Sequence, residues 1–404
     1  MRGGWLSRDG RTLLATRALR TFGYGYLTVA LGLYLQQLGL DAFQIGLVLT
    51  AAVAGSAAMN VLWSLAADRF GRRRTVATMA VLMVVGGLLF ALTDRLWLLI
   101  LGAFTGTISA SSSEVGPFMT VEQAILPQTA PDEHRTWLFS IYDTLGNLAG
   151  AAGALFTGTV ALFAGAGLTG ANAYRPLFVL YAAIGLANLV LFSRLSDRVE
   201  SARVEGTRRF AGLHRSTGTV VRLSALFGLD ALAGGFVLQS IVAYWFHLRW
   251  GLSVGTLAIL FFWVGVLSGL SLLAAGWLAG RFGLLNTMVF THLPSNLLLL
   301  LVPLAPTAWL AVLLFVARMS VSQMDVPTRK SYTMAVVEPD ERMAAAGITN
   351  VARTVASAAA PVLSGVAVGT GALGLPFFIA GSLKVLYDGL VYVTFRGIRP
   401  QEER

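Results

Sequence analysis

The chain of 404 residues is 56% hydrophobic and only 12% charged, with 44 glycines, no cysteine and a mean hydropathy of +0.70. That balance excludes a disordered chain, a nucleic-acid-binding domain, an ordinary cytosolic enzyme and any disulfide or thiolate metal site. The net charge of +10 comes from 28 arginines and two lysines set between apolar blocks rather than on one face, which points to a polytopic membrane protein and to no nucleic-acid partner.

A segment crossing about 30 Å of hydrocarbon needs about 20 residues. Twelve blocks meet this: 12–38, 43–66, 75–93, 96–126, 137–164, 175–195, 219–247, 253–279, 286–305, 308–336, 343–370 and 373–395. The first carries Arg17 and Arg20 and is too long for a cleavable signal peptide, so none is expected. Those arginines lie three apart on adjacent faces, with Tyr24 and Tyr26 deeper in the span. Block four runs through Ser109, Ser111, Ser112 and Ser113 to Glu114 and Gly116-Pro117. Glu122 follows Glu114 by eight residues, nearly on one helical face. Asp143 and Asn147 stand at i, i+4 in block five. Beyond the charged connector, Asp230 lies near the centre of block seven, followed by Phe236 and Gln239. His292 sits beside Pro294 in block nine and reads as a packed, hydrogen-bonded histidine rather than a ligand. Block ten pairs Asp325 with Arg329 at i, i+4 around Pro327, and block eleven carries Asn350 and Arg353. In block twelve Lys384 and Asp388, again i, i+4, can neutralise each other.

Orientation follows from basic residues by loop. With the amino terminus inside, the cytoplasmic segments hold 20 Lys and Arg, the external turns three (Arg95, Arg175 and Arg249), and the spans seven. Both termini are therefore expected in the cytoplasm, and the basic charge is mainly a topology signal.

The chain also repeats itself. SLAADRFG at Ser64 to Gly71 recurs as GWLAGRFG at Gly276 to Gly283, an offset of 212 that also carries Gly23-Tyr24 onto Gly235-Phe236 and Gly39-Leu40 onto Gly251-Leu252. PDEHR at Pro131 to Arg135 recurs as PDER at Pro339 to Arg342, and Pro117 falls opposite Pro327. Six spans separate the copies, and an even number preserves orientation, so the halves are parallel repeats about an axis along the membrane normal. This gives two six-helix bundles, 1–195 and 219–404, joined by a solvated cytoplasmic linker over 196–218.

The loop SLAADRFGRRR at Ser64 to Arg74 resembles the G-x-L-A-D-R-x-G-R-R signature of the major facilitator superfamily. Span count, the six-plus-six repeat and the central linker extend the resemblance over essentially the whole chain. Two departures stand out: Ser64 replaces the usual Gly, and Gly280 replaces the acidic residue in the second copy. The resemblance implies an all-α fold of twelve transmembrane helices in two parallel-repeat bundles. It also implies a latch in which Asp68 and Arg72, around a tight turn at Gly71, tie the cytoplasmic ends of the halves when the outside gate is open. The alternative for this loop is a topology signal alone.

Six acids (Glu114, Glu122, Asp143, Asp230, Asp325 and Asp388) and seven bases (Arg17, Arg20, Arg318, Arg329, Lys330, Arg353 and Lys384) fall inside the spans. An isolated charge at a helix centre costs about 2.5–3.5 kcal/mol on insertion scales, so these groups face each other or a wet cavity. Glu114 and Asp230, nearest mid-membrane, are the leading proton-coupling candidates. Arg17 and Arg20 with Glu122 and Asp143 are either coupling groups or structural ties. Arg329 and Arg353 can bind an anionic substrate or pair with Asp325. Tyr24 and Gln239 can line the cavity or pack in the core. Paired proline interruptions in blocks four and ten point to a central site.

No Walker loop, HExxH motif or nucleophile–base constellation occurs, so no enzyme activity, cofactor or metal is expected. The expected function is secondary active transport of a small solute by alternating access in the cytoplasmic membrane, proton-coupled, with export favoured over uptake, by a monomer. The alternative is a non-transporting membrane receptor or scaffold on the same fold.

Overall fold

The computed structural model describes residues 5–111, 117–131, 134–200, 215–338 and 341–397, without the side chains of Ser64, Leu65, Asp68, Arg69, Arg135, Thr136 and Met343. All regular structure in these residues is helical. In chain order the helices are α1 (Arg8–Gln37), α2 (Ala42–Phe70), α3 (Arg72–Leu92), α4 (Leu96–Phe104), α5 (Pro117–Ile125), α6 (Arg135–Phe156), α7 (Thr159–Gly165), α8 (Arg175–Ser193) and α9 (Thr217–Phe236). They continue as α10 (Gln239–Trp250), α11 (Val254–Phe282), α12 (Leu284–Leu301), α13 (Ala308–Met319), α14 (Asp325–Ala335), α15 (Arg342–Ala358), α16 (Ala360–Gly369) and α17 (Leu375–Phe395).

Among the described residues nine helical stretches are long and apolar enough to cross a membrane. The difference from twelve blocks has a local cause in each case. α1 is long enough at 30 residues but less apolar, with Arg8, Asp9, Arg11, Arg17 and Arg20 in it. Block four is not one helix: α4 ends at Phe104, residues 105–111 turn, and a helix resumes at Pro117. Glu114, which the spacing sets on one face with Glu122, lies outside the described residues. Block ten is likewise split by a turn at 320–324. Pro327 is the third residue of α14, a first-turn position where a missing N–H leaves no bond unmade.

The chain divides into two compact units: Met1–Glu205 with Gln239–Gly265, and Gly206–Leu238 with Val266–Arg404. In the first, α1 packs along α6 and α3 along α8. A Cβ on Gly25 would collide with the Gly150 carbonyl, and one on Gly153 with the Phe22 carbonyl. Such backbone-to-backbone approach is how helices pack in lipid, where burying apolar surface gives no driving force between them. In the second unit α9 packs along α15 and α12 along α17. A Cβ on Gly235 would stand 2.5 Å from the Ser357 carbonyl oxygen, a comparably close approach of α9 to α15. Replacing Gly25 by Ala is expected to lower stability by about 3 kcal/mol or more, the upper end for overpacking, because the colliding atom is backbone. Gly276→Ala, with open space around it, is the neutral control; thermal unfolding of the two purified variants checks this, and equal midpoints would contradict the packing.

Candidate functional site

The second unit concentrates its ionisable groups around one carboxylate. α9 buries Asp230, whose Oδ1 accepts from Lys384 Nζ of α17 at 2.5 Å. Its Oδ2 accepts from Arg329 Nη1 of α14 and Arg353 Nη1 of α15, each at 3.1 Å. Arg329 Nη1 also donates to Asp325 Oδ2 at 2.8 Å, one turn back on its own helix. His292 of α12 places Nε2 3.9 Å from Asp230 and Nδ1 2.7 Å from Asp388 Oδ1. Asn296, a turn further on, donates to Asp388 Oδ2 at 2.8 Å. Four helices, α12, α14, α15 and α17, thus converge on Asp230 of α9, and α17 is tied to α12 a second time through Asp388.

Lys384 and Asp388 do not neutralise each other as their spacing suggested. Lys384 reaches across to Asp230, and Asp388 is held by His292 and Asn296. The reason is rotational: both side chains point off α17 toward neighbours that offer better geometry than an i, i+4 contact. Arg318, at the end of α13, is buried nearby. Arg353 is the accessible member, its side chain 27% exposed on a face that also shows Asn350.

The first unit holds a sealed pair. Glu122 of α5 and Arg20 of α1 are both 0% exposed and bond bidentately at 2.8 and 2.7 Å. Tyr142 Oη of α6 donates to Glu122 at 2.6 Å, and Thr16 Oγ1 lies 3.3 Å away. The Arg20 guanidinium sits 4.3 Å from the Phe118 ring centre, and Arg17 sits 4.4 Å from that of Tyr142, both cation–π contacts. Asp143 is not drawn into this cluster: it is exposed, and Asn147 donates to its main-chain oxygen. Tyr24 is buried against Tyr181, and Gln239 is half-buried at the start of α10.

A family model described as Major Facilitator Superfamily matches residues 13–361. The chain belongs to the major facilitator superfamily. An uncharacterized membrane protein of Saccharomyces cerevisiae is 27% identical over 425 residues, covering 97% of this chain and 95% of the relative. Among solved structures, the nucleoside transporter NupG superposes with a TM-score of 0.76 at 14% identity, over 96% of this chain and 99% of that one. A D-xylose–proton symporter superposes with a TM-score of 0.73 at 17% identity, over 95% and 97%. The fold is that of this superfamily of secondary transporters, and the chain is an integral membrane protein.

For a major facilitator chain the turn between α2 and α3 is of interest. Gly71 adopts φ +98°, a conformation that costs glycine little and other residues more. Glu200 caps α3, accepting from the Arg72 and Arg73 amides at 2.7 and 3.2 Å, a carboxylate at a helix amino terminus. Arg72 Nη1 donates to the Ala124 carbonyl at 3.1 Å at the end of α5. The Asp68 side chain lies outside those described. Sequence reasoning placed Glu200 in the solvated linker and gave no role to Tyr142 or Asn296. Of these, Asn296 had a signal: it stands at i, i+4 from an intramembrane histidine.

Proposed function

We propose that this chain is a proton-coupled secondary transporter for a small solute, working as a monomer by alternating access in the plasma membrane with both termini cytoplasmic. The carrying observation is the sharing of Asp230 among Lys384, Arg329 and Arg353, cations from three different helices. A rigid structural tie needs one partner. A carboxylate with three, on helices that must shift for access to alternate, exchanges partners as they move and can take a proton when they withdraw. Glu114 is the second coupling candidate by its place in the sequence, with Asp143, Asp325 and Glu122 behind it. Asp143, exposed, and Arg353, partly exposed, within membrane-spanning helices are tolerable against water and costly against lipid, which supports a wet passage. The 20-to-3 basic bias supports the orientation, and the turn at Asp68, Gly71 and Arg72 is the cytoplasmic gate.

The test is flux into vesicles reconstituted with the purified protein, with and without a pH gradient, over a broad solute panel. Accumulation that needs the gradient and collapses with a protonophore is the expected result. Glu114→Gln is expected to lose that accumulation while retaining exchange. No solute-dependent flux across the panel would refute the reading.

A further inference from the structure

The turn at 320–324 gathers donor groups that lack a strong acceptor. Arg318 is 9% exposed, yet among the described residues its guanidinium makes a single hydrogen bond, from Nη1 to the thioether sulfur of Met319 at 3.0 Å, and its Nε makes none. The buried Ser322 hydroxyl points at the same sulfur from 3.5 Å, and Gln323 Nε2 stands 3.5 Å from Ser322 Oγ. A thioether is a weak acceptor, and the 3.5 Å contact from Gln323 to Ser322 is at the limit of hydrogen bonding. Among the described residues no carboxylate forms an ion pair with Arg318, although Asp230 and Asp325 act on it through space. The surroundings deepen the deficit. Arg318, Arg329, Arg353 and Lys384 outnumber Asp230, Asp325 and Asp388 by one before His292 is counted. A buried guanidinium without a counter-ion is costly, and an arginine fork suits a carboxylate or phosphate better than it suits sulfur.

We propose that this turn binds the oxyanion of the transported solute, a carboxylate or phosphate group that accepts from Arg318, Ser322 and Gln323 and displaces the flexible Met319 side chain. The inference rests on the transporter reading and adds the substrate class to it. The competing role for Arg318, a cation placed at the carboxyl end of α13 to complement the helix dipole, leaves the Ser322 and Gln323 geometry unexplained and predicts no ligand.

Full-length protein in phosphatidylcholine nanodiscs, titrated at constant ionic strength with benzoate, succinate, glycerol 3-phosphate, inorganic phosphate, xylose and choline, supplies the test. Thermal unfolding and tryptophan fluorescence are the readouts. At least one organic oxyanion is expected to stabilise the protein saturably, while xylose and choline do not. Arg318→Gln should weaken that binding about 10- to 100-fold, the loss of a charge-assisted hydrogen bond. Arg318→Lys should retain part of it, Ser322→Ala should weaken it several-fold, and Met319→Leu should leave it intact or tighter. If Arg318→Gln fails to give monodisperse protein, the Ser322 and Met319 variants carry the comparison. Stabilisation no greater than chloride gives, binding unchanged in Arg318→Gln and Ser322→Ala, or equal binding of inorganic phosphate and every organic probe each overturns the proposal. So does an effect confined to nanodiscs containing phosphatidylglycerol, which would make the occupant a lipid head group. Gradient-driven flux of a neutral or cationic solute alone would sink the anion class and leave the transporter standing; absence of all flux would sink the transporter itself.

Discussion

Glu122→Ala is expected to destabilise the protein by about 3–5 kcal/mol, the usual cost of removing one partner from a buried ion pair. Arg20 is enclosed by Phe118 and Phe192 and bonds both carboxylate oxygens of Glu122, while Tyr142 donates to the same group. Taking the carboxylate away leaves a guanidinium in an apolar pocket without its counter-ion. Arg20→Lys is also expected to fail, because an ammonium cannot span both oxygens of the fork. The double variant Arg20→Met with Glu122→Leu should recover most of the loss, since buried pairs exchanged for apolar groups of like volume are often neutral. Thermal unfolding of the single and double variants gives the coupling energy. Glu122→Ala as stable as the parent would mean that the pair does not hold α1 to α5.

How far these two clusters could be read from sequence depends on rotation about each helix axis. Hydropathy points to the stretches that cross the membrane, and the Arg distribution to an orientation, because both are properties of runs of residues. The prolines marked interruptions in blocks four and ten, but the breaks at 105–111 and 320–324 lie ahead of them, in Ser-, Thr- and Gln-containing stretches that a helix facing a polar neighbour accommodates as readily as a turn does. Asp325 and Arg329 meet within a helix, a pairing that spacing alone suggests. Lys384 and Asp388 have the same spacing, but each finds its partner on another helix, and nothing local distinguishes the two cases. Arg20 and Glu122 were grouped with Arg17 and Asp143 from sequence, yet 102 residues separate them, and only the fold shows that these two bond each other while Asp143 is left exposed. Arg318 went without a role because what marks it is a missing partner, which sequence cannot show.

Asp230→Asn is expected to abolish proton-driven accumulation while exchange of solute across the membrane persists. A gradient of one pH unit is worth about 1.4 kcal/mol per proton, so coupling to one proton supports about tenfold accumulation. In the variant that ratio should fall to one. The amide keeps the shape of the carboxylate but removes the charge shared by Lys384, Arg329 and Arg353. Those three cations are then left with Asp325 alone among the acids that pair with them, and a loss of about 3–5 kcal/mol in stability should accompany the loss of coupling. Stability and coupling separate in the double variant Asp230→Asn with Lys384→Met, which restores the local charge balance. If Asp230 were only a tie, the double variant would regain both stability and accumulation. A proton carrier predicts regained stability with accumulation still at one, because no titratable group has returned to the shared position. Flux and unfolding measured on the same three preparations decide between them, and full accumulation in Asp230→Asn alone would end the case for this residue as the coupling group.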